Sequence, residues 1–354
     1  MKKILFLISL FLFSCGPSIS TITVNTLKPA AVHLNGVRKI AVMGFDGQGG
    51  DLATNKVTAR LVESGRFDVF ERAQVAKILN EHEMYMTGLV DEGSAAKIGK
   101  MLGAEALIVG SVDTYQVTDE RTTVLLPKIK EKGFHYETYK DRKGNEKTQK
   151  VIDYEWYKVN GAALTRRGNV GITFKVVNVE SGQIIAAKNI SKTWEGINIT
   201  DPDPSHDDVY PTPKEKSITL PDSSSILNRL IDEIVPKLVN MVVPHHVAEI
   251  KTYLAVDEQT ETARKFMTAG QYRDAIEILE AHLAGLETKP DKNRDELHVV
   301  YYDLGLLNEV AGEFDKAEGF YKKAIALKGE EVYIRALAGV RRAREERKRL
   351  EGQK

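Results

Sequence analysis

Between Lys39 and Val112, short apolar runs of strand character alternate with stretches whose apolar residues recur at helical spacing, and this confines the chain to layered α/β folds. Lys39-Ile40-Ala41-Val42-Met43-Gly44-Phe45 reads as a buried strand, stopped by the loop Asp46-Gly47-Gln48-Gly49-Gly50. Leu52, Ala53, Val57 and Leu61 form one helical face that ends at Ser64-Gly65. A second strand follows at Phe67 to Phe70. Val75, Ile78 and Leu79 mark a second helix, and Ala95, Ala96, Ile98 and Leu102 a third. Ala104 to Val112 is apolar almost throughout, as expected of a strand covered on both faces. Val170, Ile172, Phe174 and Val176 alternate with polar or small residues, and Ile184 to Ile190 returns after a turn at Glu180 to Gln183. An amphipathic helix, Ser223 to Met241, closes the unit. The order predicts a mixed α/β sandwich over residues 37–245.

From about Val256 the pattern turns wholly helical, and a repeat appears. Gly270-Gln271-Tyr272-Arg273-Asp274-Ala275 recurs as Gly312-Glu313-Phe314-Asp315-Lys316-Ala317. Each glycine ends a helix, the aromatic packs in the turn, and the small alanine lets the second helix approach the first. Gly305 stands where a small residue permits close packing, with Tyr321 downstream. These features resemble tetratricopeptide (TPR) repeats. The two copies are 42 residues apart, Gly270 to Gly312, against a usual period of roughly 34. A longer loop at Gly285 to Arg294, holding Pro290, takes up the excess. Gly339 points to a further, capping helix. The resemblance implies an all-α module over residues 256–350 with a groove for a protein or peptide partner, framed by Gly270, Tyr272, Ala275, Gly305, Gly312, Phe314, Ala317 and Tyr321.

The first residues fix where the chain goes. Lys2-Lys3, the apolar run Ile4 to Phe13 and Ser14 before Cys15 have the order of a secretory signal peptide over residues 1–14. Cys15 is the only cysteine, so no intrachain disulfide exists. Leu12-Phe13-Ser14-Cys15 resembles a lipobox, which implies acyl chains on Cys15 and stable membrane anchoring. Residues 15–36, with Thr, Ser and Pro, are expected to be a tether. Gly16 replaces the aspartate that retains many lipoproteins on the inner membrane, so the expected location is the outer membrane, facing the periplasm. Fifty basic residues balance fifty acidic ones, which gives no pull toward nucleic acid.

No catalytic constellation or cofactor site is expected. The loop Gly44 to Gly50 lacks both Gly-x-Gly-x-x-Gly and a following Gly-Lys-Ser/Thr, and reads as a turn. Adjacent His245 and His246 cannot share a metal, and no Glu or Cys stands at ligand spacing. The acids Asp201, Asp203, Asp207 and Asp208 read as solvated.

Four blocks of the α/β region come in one order: Ile40 to Phe45, Ser64 to Arg72, Leu102 to Val112 and Val176 to Ile185. Together they resemble the CsgG family of curli-secretion lipoproteins, over about Val37 to Thr193. The resemblance implies the family's α/β fold, and an oligomeric pore to which each subunit lends two β-hairpins. Residues 118–168, an insertion, and 194–222, a Pro-rich loop, fall where those hairpins belong. The insertion has a hairpin tip around Arg142 to Asn145, but its Lys and Glu look scattered over both faces, with few apolar positions aligned between Lys128 and Lys150. Five prolines interrupt 194–222. Both segments are therefore expected to stay in water, and the chain to act as an envelope scaffold or adaptor through its TPR module. The alternative is a homo-oligomeric outer-membrane secretion pore for curli-like fibres.

Overall fold

The structure, a computed structural model, describes residues 17–70, 99–200, 219–288 and 294–353. It divides into two units, residues 34–243 and the pair 1–33 with 244–354. The signal segment, Cys15, most of the expected second and third helices, and Asp201 to Asp208 lie outside the described residues.

The first unit is built on a five-stranded sheet. Its strands are β2 (Lys39–Asp46), β3 (Asp68–Phe70), β4 (Ala106–Lys140), β5 (Glu146–Asn178) and β6 (Ile184–Thr200), in the order β3-β2-β4-β5-β6. β2 runs parallel to β3 and β4, while β4, β5 and β6 are antiparallel neighbours. Among the helices that pack on the sheet are α1 (Gly50–Glu63) and α2 (Ser223–Val239). α1 buries Ala53, Val57 and Leu61 completely, the stripe its spacing predicts. Asp222 caps α2 by accepting from the Ser225 N–H at 2.9 Å, and the helix runs on through Pro236. Its buried row, Ile226, Leu230, Ile234 and Leu238, lies over the even-numbered side chains of β5. Gly168 makes that approach possible, since a β-carbon there would stand 2.3 Å from Ile226 Cγ2. A second cluster, Ala41, Leu102, Leu107, Val177 and Val179 with Ala104, shows that the central strands are also covered elsewhere. The mixed α/β expectation holds for this unit.

The second unit begins with a strand where a tether was expected. β1 (Ser18–Lys28) pairs antiparallel with β7 (His245–Ala255), from Ser18 opposite Ala255 to Lys28 opposite His245. Ser and Thr suggested a linker by composition, but Thr21, Ile22, Thr23, Val24 and Thr26 are β-branched and favour a strand. Ile22 and Val24 are buried. Five helices follow: α3 (Glu258–Thr268), α4 (Tyr272–Glu287), α5 (Arg294–Ala311), α6 (Phe314–Leu327) and α7 (Glu331–Gly352). Each packs on its chain neighbour, and the core runs from Ile22 and Tyr253 through Leu279, Leu304 and Tyr321 to Val340. The C-terminal helix is fastened to the first strand. Gln353 exchanges two hydrogen bonds with the Ala30 backbone, at 2.9 and 3.0 Å, and Lys28 reaches Glu346 at 2.7 Å.

Candidate functional site

Two places carry features beyond packing, and the first is the β4–β5 hairpin. The strands contain 35 and 33 residues and stay paired to the tip, with two register shifts on the way; there Asp141 accepts from the Lys143 and Asn145 N–H groups. Those backbone bonds hold the Asp141 carboxyl below its ordinary range. At about 3.3 Å per residue, β4 is roughly 115 Å long.

The expectation that apolar positions fail to align is corrected by one irregularity. Between Glu131 and Gly133 the register shifts, because β4 carries an extra residue there. Before this bulge the odd positions Leu125, Pro127 and Ile129 share a face; after it the even positions Phe134 and Tyr136 do. β5 has no bulge opposite, so Ile152, Tyr154 and Trp156 join the same face, facing Phe134, Glu131 and Ile129. Leu125, Phe134, Tyr136 and Trp156 are each more than half exposed. Phe134 and Tyr136 meet edge to face at 5.7 Å. A strict period of two, read through Lys132, breaks this face in half, which is why the sequence looks scattered.

The opposite face is mixed: its charges pair with one another, beside Val124, Leu126, Val151, Tyr157 and Val159. His135 lies 2.9 Å from Asp153 and 3.2 Å from Glu137, which together push its pKa up, Glu137 foremost. Lys130 faces Glu155 at 3.8 Å. At the base of the hairpin, Arg166 clasps Asp119 with two bonds of 2.7 Å, and Arg167 bridges Glu195 and Glu120. β6 continues beside the hairpin to Thr200, so Trp194 to Thr200 is strand rather than Pro-rich loop. The prolines of this segment fall after it. Ile197 and Ile199 are exposed on it.

The second place is the helical unit, where the structure brings the repeated residues into equivalent positions. Gly270 and Gly312 both take left-handed φ, 77° and 84°. After each, the next N–H reaches back five residues, Gln271 to the Phe266 carbonyl at 2.9 Å and Glu313 to Asn308 at 2.8 Å. Tyr272 and Phe314 open the following helices half-buried, while Ala275 and Ala317 are fully buried one turn later. Gly305 lies against the buried Tyr321 ring.

An ion chain that the sequence did not signal crosses this unit. Glu346 and Glu249 both bind Lys28; Glu249 also binds Lys251 at 2.9 Å, and Lys251 binds Glu309 at 2.8 Å. The Tyr321 hydroxyl donates to the other Glu309 oxygen at 2.7 Å. Burial opposes charge on Lys251, but Glu309 and Glu249 outweigh it and raise its pKa. Glu249, Lys251, Glu309 and Glu346 border a cavity of about 220 Å³ with Leu27, Val310, Phe314 and Arg347. Nearby, Asp303 is completely buried with one oxygen accepting from the Leu254 N–H at 3.1 Å and the other unbonded. Burial pushes its pKa well up.

A family model described as "Curli production assembly/transport component CsgG" matches residues 21–200, just over half of the chain. The chain belongs to the CsgG family. The match runs from within β1 to the end of β6 and so takes in the whole hairpin; the helices lie beyond it. As a member of this family the chain is an envelope-associated protein of assembly or transport. None of the curated proteins compared with the chain matches it. Among solved structures, it is similar to lipoprotein GNA1162 from Neisseria meningitidis (12% identity, 57% of this chain, 99% of that one, TM-score 0.30). A PelC dodecamer from Paraburkholderia phytofirmans matches at 14% identity (62% and 98%, TM-score 0.27). The C-terminal domain of LpoB from Salmonella enterica matches at 15% (45% and 86%, TM-score 0.25). These likenesses are too distant to bear on function.

Proposed function

We propose that this CsgG-family chain is a lipid-anchored, non-catalytic subunit of an outer-membrane transport assembly. In this reading it lends its β4–β5 hairpin to a membrane barrel formed with other copies, and the C-terminal helices act as a TPR-type dock for a protein or peptide. The observation that supports the barrel is the hairpin's exposed aromatic and aliphatic face, opposite a mixed face whose charges pair with one another. Strands of about 9–11 residues suffice to cross an outer membrane when apolar and polar sides alternate, and closure into a ring leaves no open edge. Equivalent turns at Gly270 and Gly312 support the docking module.

The soluble scaffold is the second reading, favoured by Glu131, Lys150 and Lys158 on the apolar side. A lysine there costs about 2–4 kcal/mol near the midplane of a bilayer and little near its surface. Lys150 sits 4.0 Å from the Phe134 ring centre, a contact that shields it in water equally well. Single cysteines from Val151 to Trp156, in acylated protein reconstituted into liposomes, separate the two readings. A membrane-impermeant maleimide should label positions 151, 153 and 155 and spare 152, 154 and 156, with conductance in planar bilayers. Uniform labelling without conductance would leave the soluble scaffold.

A further inference from the structure

The β1–β7 ribbon has two faces of opposite character. Inward, Ile22, Val24 and Tyr253 are buried in the helical core, and Glu249 and Lys251 enter the ion chain. Outward, β1 presents Ile19, Thr21, Thr23, Asn25 and Leu27, all exposed, the last two also reaching the rim of the 220 Å³ cavity. Opposite them, His246, Ala248 and Ile250 are exposed on β7, Ile250 at the edge of a groove that Val332 and Arg335 of α7 also line. Ile19 and Ile250 each leave 74% of their surface uncovered, more than any other large apolar residue described. In a chain with 28% charged residues, none of these eight is Asp, Glu, Lys or Arg. Open strand ribbons in water ordinarily carry charge, lysine above all, to block association. This one does not.

The length of chain before the ribbon says what can cover it. β1 begins at Ser18, and Ile19 follows Cys15 by four residues, which span at most about 14 Å even fully extended. An acyl-anchored Cys15 lies at the lipid surface, so the ribbon cannot leave that surface at its first residue.

We propose that the uncharged outer face of the β1–β7 ribbon rests on the phospholipid surface, with Ile19 and Ile250 entering the headgroup boundary. The inference depends on acylation of Cys15, proposed above, and adds an orientation: the helical unit is held against the membrane instead of hanging from a flexible tether. Amphipathic elements that lie in the interface sink their apolar side by about 5–10 Å. Isoleucines supply the apolar contact, and threonines hydrogen-bond among headgroups.

The test uses the full acylated chain in vesicles of phosphatidylethanolamine and phosphatidylglycerol, with an environment-sensitive dye on Thr23→Cys and, as a control, on Glu280→Cys, exposed in α4. Metabolic labelling with a tagged fatty acid verifies the anchor in each sample. Nitroxide placed at the headgroup should quench the dye at Thr23 several-fold more than at residue 280, and Ile250→Glu should abolish the difference. Acylated protein with equal quenching at both sites overturns the ribbon contact while leaving the anchor intact. Protein without acyl label overturns the anchor, and the contact with it. Dye at Thr23 shielded from lipid nitroxide but crosslinked to a second copy overturns the lipid surface in favour of a protein interface.

Discussion

Gly305 and Tyr321 set the distance between α5 and α6, and replacing the glycine by alanine measures how firmly. A β-carbon at 305 would stand 2.6 Å from Tyr321 Cδ1 and 2.7 Å from Cε1. Carbons rest at about 3.5–4.0 Å, so nearly an ångström must be found. The ring has little freedom to move: it is fully buried, its hydroxyl donates to Glu309, and Tyr302 lies 5.7 Å away, centre to centre. Overpacking of this kind costs about 1–3 kcal/mol, and alanine in a helix returns about 0.5–1 kcal/mol relative to glycine. Gly305→Ala should therefore destabilise the helical unit by roughly 0.5–2 kcal/mol, a lowering of about 2–6 °C in its melting temperature. Thermal melts by circular dichroism read the shift, and hydrogen exchange of α5 and α6 peptides assigns it to this unit. In a Tyr321→Leu background the clash disappears, and the same alanine should become neutral or stabilising. An equal penalty in both backgrounds, or none with Tyr321 present, would refute the close approach.

Asp303 gives a pH signature. Its folded pKa lies above the ordinary 3.8, so the folded form holds the proton more tightly and the unit loses stability as pH rises above that value. Asp303→Asn should flatten this decline and leave the unit more stable at neutral pH, while urea titrations across pH that superimpose on wild type would contradict it. Cys15→Ala should remove all tagged fatty acid from the protein; equal label in wild type and variant would sink the lipobox reading.

How far the sequence could be read depended on whether a period persisted. α1 and α2 were legible because three or four turns of apolar stripe survive unbroken, and β5 because Val170 to Val176 alternates without interruption. The repeat around Gly270 and Gly312 was legible because the turn needs left-handed backbone and the helix crossing needs a small side chain. The hairpin face was hidden, since one extra residue at the Glu131/Gly133 bulge changes which parity faces outward. β1 was hidden for another reason. Its partner lies more than two hundred residues away, and its threonines look like a linker until the pairing is known. The ion chain from Glu346 to Tyr321 joins five elements, and no local pattern announces a contact of that range.

That distant pairing also fixes an order in time. A chain exported from its N-terminus delivers β1 first and β7 only after the whole α/β body has crossed, so Ile22 and Val24 wait without cover until residues 244–255 arrive. Lys28 ends opposite His245, which means the body is spliced in between two adjacent strand ends. Cutting the chain after α2 would therefore not release a tidy anchored α/β domain. It would leave a β-branched strand with a bare hydrogen-bonding edge and two unburied aliphatic side chains, a template for joining another chain. Proteolytic loss of the helices, in this architecture, is expected to lead to aggregation at the membrane and not to a simpler working protein.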